Sequence, residues 1–262
     1  MNRLKWKRWL GNCVGGFTAN EQRTVILLYH SIGNGPFSIP ESMFRAQITW
    51  LSQRTTIVPL AVALLTKPKG VGTRVVITFD DGYASLHDFA APILAEHGAT
   101  ATVYLNTGCI GDHQRMASDA ALGHYPQQYF MNWQETEALA MAGWTIGSHG
   151  VGHLDLTQHD AASVEWELTE SKSEIQSRLG RPCEHFAYTW GRYTSSLVRS
   201  VRQAGYLSAV SGLHGPVVDG ADCFALPRID IRAEYEMQDF SDVLSGQWDY
   251  VGFKQRFARR LA

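Results

Sequence analysis

No run of 18 apolar residues occurs in the 262-residue sequence, which rules out a helix long enough to cross a membrane. Cysteine is scarce. Cys13, Cys109, Cys183 and Cys223 form no CxxC pair, so zinc-knuckle and thioredoxin-type motifs are absent, and so few thiols argue against a disulfide framework. An excess of positive charge is missing too: Lys+Arg 23 against Asp+Glu 25 leaves net −2, which argues against a dedicated nucleic-acid binder. No Pro/Ser-rich linker divides the chain and no internal repeat is visible. The N-terminus starts like a signal peptide, but Asn12 and three glycines interrupt Trp9–Phe17 and no A-x-A site follows. The expectation is a protein that is not exported and works in the cytoplasm.

What the sequence does hold is a large core. Hydrophobic residues make up 45% and aromatics 11%, enough to exclude disorder. One barrel-sized α/β domain takes about 250 residues, so a single main domain over residues 25–250 is expected. Short apolar runs at 25–32, 75–80, 100–106, 144–148, 185–190, 206–211 and 226–231 alternate with amphipathic stretches near 41–53, 84–97, 133–142, 158–179, 194–204 and 234–245. Seven strands alternating with helices predict parallel βαβ units. A distorted (β/α) barrel fits the length, and an open doubly wound sheet is the alternative. Thr107 to Asn132 shows no periodicity. A loop of that length suits either a flap over a site, carrying Tyr125, Tyr129 and Phe130, or a disordered insertion.

In parallel α/β folds ligands sit at the carboxyl ends of the strands. The polar residues there are His30, Asp80, Asp81, Asn106, His149, Trp190 and Arg228. Asp80-Asp81-Gly82 closes the run Val75–Phe79. Adjacent carboxylates after a buried strand must be solvated, paired or bound to a cation, although an acidic helix cap at Tyr83 is the plainer reading. His149-Gly150-Val151-Gly152-His153 spaces two imidazoles at i and i+4, close enough to share a metal ion if the loop makes a helical turn; two solvated histidines are the alternative. Gly150 stands where a zincin carries its catalytic glutamate, so that class is excluded and the base must come from elsewhere, Asp80 or Asp81. Two histidines plus one carboxylate form a recurrent catalytic metal set, and a second carboxylate beside it can serve as general base. The chemistry so indicated is metal-assisted hydrolysis.

Thr78-Phe79-Asp80-Asp81-Gly82 and Ser148-His149-xxx-His153 resemble the first two motifs of the polysaccharide deacetylases, carbohydrate esterase family 4 with NodB homology. Leu28-Tyr29-His30-Ser31-Ile32 resembles the YHxI strand of a subgroup whose last motif is permuted to the N-terminus. Phe186–Tyr193 and Leu226–Asp230 resemble that subgroup's FAYPYG segment and C-terminal strand. The resemblance runs from about residue 25 to 232. It implies a distorted seven-stranded barrel that removes an N-acetyl group from an amino sugar of a glycan or lipid-linked saccharide. It assigns Asp80 as general base, Asp81, His149 and His153 as ligands of one divalent ion (zinc first, nickel or cobalt next), His30 as general acid, the Trp190 N–H as oxyanion donor and Arg228 as the residue orienting Asp80. An O-acetyl esterase, a deformylase or a silent carbohydrate-binding barrel could use the same scaffold. The sequence departs from the family at Gly150, where Ser or Thr is usual, at Thr189-Trp190 in place of Pro-Tyr, and at Ala187 in place of an arginine. Arg228 or Arg192 could stand in for that arginine.

The remaining histidines, His87, His97, His113, His124, His159, His185 and His214, show no ligand spacing and are expected in the core or at the surface. Trp133 and Trp144 are expected in the core. Two basic ends frame the domain: Arg3, Lys5, Lys7 and Arg8 within 1–24, and Lys254, Arg256, Arg259 and Arg260 within 251–262. Setting those eight aside leaves 15 basic against 25 acidic residues, net −10. Lys5–Leu10 interleaves cations with tryptophans, and Phe253, Phe257 and Leu261 form one helical stripe. Peripheral contact with an anionic membrane is one expectation. Solvated tails, or a stripe packed on the barrel, are the others.

Overall fold

The computed structural model describes residues 4, 6–8, 22–66, 72–117 and 120–261, with the side chains of 22, 120 and 258–261 outside that description. Arg3, Lys5, Cys13, Arg259, Arg260 and the Leu261 side chain therefore lie outside the described residues.

Seven parallel strands form the main sheet: β1 (Gln22–Tyr29), β3 (Gly72–Phe79), β4 (Thr102–Leu105), β7 (Thr145–Ser148), β8 (His185–Ala187), β9 (Ser208–Val210) and β10 (Ile229–Asp230). Their order is β10-β1-β3-β4-β7-β8-β9 and they curl through 243°, an incomplete barrel. Five of the seven fall inside an apolar run picked out by the sequence, and β1 and β3 overlap theirs but begin three residues earlier. β9 and β10 are not paired as strands; the segment leading into β10 bridges to β9 at Leu226, whose N–H donates to the Ala209 carbonyl (3.0 Å) and whose carbonyl accepts from the Ser211 N–H (2.8 Å). The two-residue strand β2 (Thr56–Ile57) pairs with the lower part of β3. It was not expected, because two residues carry no period.

Helices α1 (Glu41–Arg54), α3 (Ala91–Ala95, continuing a π turn over Leu86–Ala90), α4 (Trp133–Met141), α5 (Ala161–Leu179), α6 (Ser195–Gln203) and α7 (Met237–Ser245) follow the predicted stretches, and α2 (Leu60–Leu65) is an extra turn. The sheet is buried on both faces. Val25, Leu27, Tyr29, Val75, Ile77 and Phe79 pack against the helices, whereas Ile26, Val76, Tyr104, Ala187, Val210 and Leu226 fill the inside of the curl. Strand alternation carries this inner row to the polar end: Ile26 and Leu28 lead to His30, and Val76 and Thr78 lead to Asp80. Trp133 and Trp144 are buried.

The Thr107–Asn132 segment is built as a cover. Its hairpin, β5 (Arg115–Met116) with β6 (Tyr129–Phe130), holds a 3₁₀ turn over Ala120–Leu122. Helix α8 (Tyr250–Leu261) ends the chain.

One local expectation needs correcting. Residues 149–154 make no helical turn: Gly150 (φ 80°) and His153 (φ 55°) both take the left-handed conformation, so the loop folds back on itself. The two histidines approach through that fold-back instead of through i, i+4 spacing.

Candidate active site

Asp80 and Asp81 are neighbours in sequence, so on a continuing strand their side chains would face opposite sides. The Asp80 N–H still donates to the Tyr29 carbonyl (3.0 Å), keeping it in the ladder and on the inner face. Asp81 then turns left-handed (φ 73°), as does Gly82 (φ 83°), and this swings the second carboxylate round to the same mouth. Both residues are buried.

Asp80 is clamped. Arg228 donates Nη1 to Oδ1 and Nη2 to Oδ2, each at 2.7 Å, and its Nε donates to the Ser211 carbonyl (3.1 Å). Burial pushes the Asp80 carboxyl up, but the Arg228 guanidinium and the His149 and His30 imidazoles outweigh it and hold it at about 2. Arg192, the other candidate, pairs instead with Asp155 at the surface (2.6 Å), so Arg228 alone reaches Asp80.

Asp81 faces both histidines. Its Oδ1 lies 3.4 Å from His153 Nε2 and 3.7 Å from His149 Nε2, and it accepts from Asn106 Nδ2 (3.3 Å). Burial raises its carboxyl and the imidazoles of His153, His30 and His149 lower it, with the net direction downward. His149 extends β7, its N–H donating to the Leu105 carbonyl (2.8 Å). Its Nδ1 contacts the Ala187 carbonyl (2.8 Å), and His153 Nδ1 contacts the Leu122 carbonyl. A carbonyl can only accept, so both Nδ1 atoms carry a proton, which leaves Nε2 as the atom each ring can offer to a ligand. Burial pushes the His149 imidazole down to about 4, which keeps it neutral at pH 7.

The donor set fits a divalent ion. Asp81, His149 and His153 each offer a ligand atom within 4.8 Å of the others, all three are buried, and each histidine already has the backbone acceptor that metal-ligating histidines use. The second group with such spacing among the described residues, His87, Asp88 and Glu135, is partly solvated. Its Glu135 caps α4 through the Asn132 N–H (2.9 Å).

His30 follows β1 and is half-buried, its ring stacked on Tyr125 (centroids 5.3 Å, 27°). Trp190 lies past the end of β8, in a 3₁₀ turn where it takes φ 57°, so the strand is shorter than the sequence implied. Its ring is 46% exposed, 5.4 Å from that of His153, and lies against Gly123 of the cover.

Sequence reasoning missed three supports. His124, assigned to core or surface, is buried with its ring stacked on His153 (5.1 Å), and the cover supplies the Leu122 carbonyl beside it. Glu167 of α5 accepts from the Val151 N–H (2.6 Å) and the Gly152 N–H (3.1 Å), bracing the histidine loop. A Cβ on Gly150 would stand 2.7 Å from the Glu167 carboxylate. The G-x-G spacing was the available signal, since glycine often marks a close approach. The glutamate itself looked like one more solvated residue on an amphipathic helix.

A sequence profile of polysaccharide deacetylases matches residues 67–209. The chain belongs to the polysaccharide deacetylase family. This deacetylase is 27% identical over 219 residues to the putative polysaccharide deacetylase YxkH of Bacillus subtilis, covering 82% of this chain and 73% of that one. It is 23% identical over 232 residues to the poly-β-1,6-N-acetyl-D-glucosamine N-deacetylase of Staphylococcus aureus, covering 84% and 74%. Among solved structures, Streptococcus pyogenes deacetylase PplD in complex with acetate superposes with a TM-score of 0.70 at 20% identity, covering 85% of this chain and 98% of that one. IcaB from Ammonifex degensii gives 0.70 at 18%, covering 87% and 100%. Both place the deacetylase on the same incomplete (β/α) barrel.

Proposed function

We propose that this deacetylase is metal-dependent and removes an N-acetyl group from an amino-sugar residue of a glycan or lipid-linked saccharide. The observation that carries the reading is the pair of imidazoles whose Nδ1 protons are tied to carbonyls while both Nε2 atoms face Asp81. The poly-N-acetylglucosamine N-deacetylase among its relatives supports the choice of substrate.

Asp81, His149 and His153 would hold the ion, zinc in the first instance, with nickel and cobalt fitting the same donors. When bound, such an ion polarises the amide carbonyl and acidifies a water beside it. Asp80, kept ionised and fixed in direction by Arg228, takes the proton of that water as its oxygen bonds to the carbonyl carbon. The Trp190 backbone N–H donates to the carbonyl oxygen as charge gathers on it, an effect commonly worth a few kcal/mol. The carbon–nitrogen bond then breaks while His30 delivers a proton to the amine nitrogen, leaving acetate and a free amino sugar. Tyr125, stacked on His30, limits the directions that ring can take.

The test is acetate release from an N-acetylglucosamine oligomer after chelation, with and without added Zn²⁺, Ni²⁺ or Co²⁺. Asp80→Asn should keep its metal yet lose about 10²–10⁴-fold in turnover. Formate or O-acetyl release in place of N-acetyl release, or full activity in the chelated protein, would overturn the reading.

A further inference from the structure

The two basic ends of the chain meet in the fold. The Tyr250 hydroxyl donates to the Lys7 carbonyl (3.2 Å), and Lys254 Nζ lies 5.8 Å from the Trp6 ring and 5.5 Å from the Tyr250 ring. Helix α8 is anchored at its start by the buried Arg23–Asp249 pair (2.9 Å) and along one side by the loop after β9. Gln255 accepts from the His214 N–H (2.7 Å), and Gly252 presses on the His214 carbonyl so closely that no Cβ would fit. A surface helix ordinarily turns its apolar stripe to the core. Here glycine and glutamine face inward, and Phe253 and Phe257 are 61% and 66% exposed. At about 100° per residue, Lys254 flanks the phenylalanine stripe on one side and Arg256 on the other. The Arg256 guanidinium lies 5.6 Å from the Phe253 ring. Exposed Trp6 extends the apolar patch past Lys254.

We propose that this face docks on an anionic lipid bilayer, with Phe253, Phe257 and Trp6 entering the interface and Lys254 and Arg256 meeting the headgroups. Charge selects the occupant. Away from the two ends the chain carries net −10, whereas residues 252–262 contain no acid, so this helix is where the charge balance favours an anionic surface. Arg8 adds nothing, because Asp239 and Glu236 already hold it. An apolar centre with cations at its margins is how interfacial helices bind. The patch adjoins the catalytic mouth: Gln255 Nε2 donates to the Gly212 carbonyl (3.5 Å), and the Gly212 N–H donates to the carbonyl of Gly191, the neighbour of Trp190. The helix that carries the patch therefore packs, by its inward side, on the loop that borders the site.

Co-sedimentation of the full chain with phosphatidylglycerol/phosphatidylcholine vesicles tests this, with pure phosphatidylcholine vesicles as the second arm. The expected result is binding to the anionic vesicles alone, weakened by salt. Phe253→Ser/Phe257→Ser should bind at least about tenfold less, since each ring contributes apolar burial. Acetate release from a soluble substrate should be unchanged in that variant, which separates this proposal from the assignment of the reaction. Failure to bind anionic vesicles, equal binding by the variant, or equal binding to both vesicle types would overturn it. So would a dimer in light scattering that the variant abolishes while vesicles bind neither protein.

Discussion

Replacing Arg228 with methionine strikes the one buried ion pair on which the Asp80 carboxylate depends. Both partners are almost fully shielded and joined by two 2.7 Å hydrogen bonds. Removing one member of such a pair leaves a charge in the interior with nothing to compensate it, which costs about 3–5 kcal/mol. For a domain of this size that corresponds to a fall in Tm of roughly 6–20 °C. The pH dependence carries the sharper signature. In the native protein the Asp80 carboxyl sits at about 2, below its unfolded value, so its contribution to stability is complete above about pH 4 and is lost as pH falls toward 2. Without Arg228, burial is the largest influence left and raises the folded pKa above the unfolded one. The sign then reverses, and the variant should be more stable near pH 5 than at pH 8. Adding Asp80→Asn should recover most of the loss, because the double variant buries no net charge. Thermal unfolding of the chelated proteins at several pH values measures all three. A single variant that loses less than about 1 kcal/mol, or a double variant worse than the single, would refute the claim that Arg228 compensates a buried carboxylate.

His149→Ala and Asp81→Ala should each abolish stoichiometric metal by elemental analysis while leaving far-UV circular dichroism intact; retained metal would contradict the ligand assignment. His214 is buried and its imidazole is pushed down to about 4, so the unfolded chain takes up the proton first. The stability it permits is full above about pH 6.5 and falls as pH drops to 4, by up to about 3 kcal/mol, and His214→Asn should flatten that part of the curve in urea titrations. Gly150→Ala forces a methyl group at φ 80° against the Glu167 carboxylate, which two backbone N–H groups hold in place. A loss of more than about 1 kcal/mol and a metal affinity weaker by about 10–100-fold are expected, read by unfolding and by calorimetric titration. Tyr125→Ala frees the His30 ring and should lower kcat with little effect on metal content.

The sequence by itself determined the seven strands and the helices after them, because a strand buried on both faces must be an uninterrupted apolar run and a covering helix must show a 3.6-residue stripe. It also determined which end of the barrel holds the chemistry, since Asp80, Asn106 and His149 are the polar residues that follow those runs; Arg228, expected at a strand's carboxyl end, instead precedes β10 and reaches Asp80 through its long side chain. Two-residue strands such as β2 were beyond its reach, having no period to detect. Tertiary structure alone decided the finer geometry. Alternation would send Asp80 and Asp81 to opposite faces, and only the left-handed Asp81–Gly82 turn, packed under Leu105, brings both to one mouth. Helical spacing would pair His149 with His153, yet a fold-back braced by Glu167 does so instead. The sequence named Arg228 as the partner of Asp80 with Arg192 as the other possible replacement for the missing arginine, and their distances separate them. The Phe253–Phe257 stripe could equally have faced the barrel or the solvent. The contact of Gly252 with the His214 carbonyl fixes the rotation of the helix, because backbone can approach that closely only where no side chain intervenes. Local sequence encodes which residues can share a face, and the long-range contacts that only the folded chain makes decide which of those faces meet.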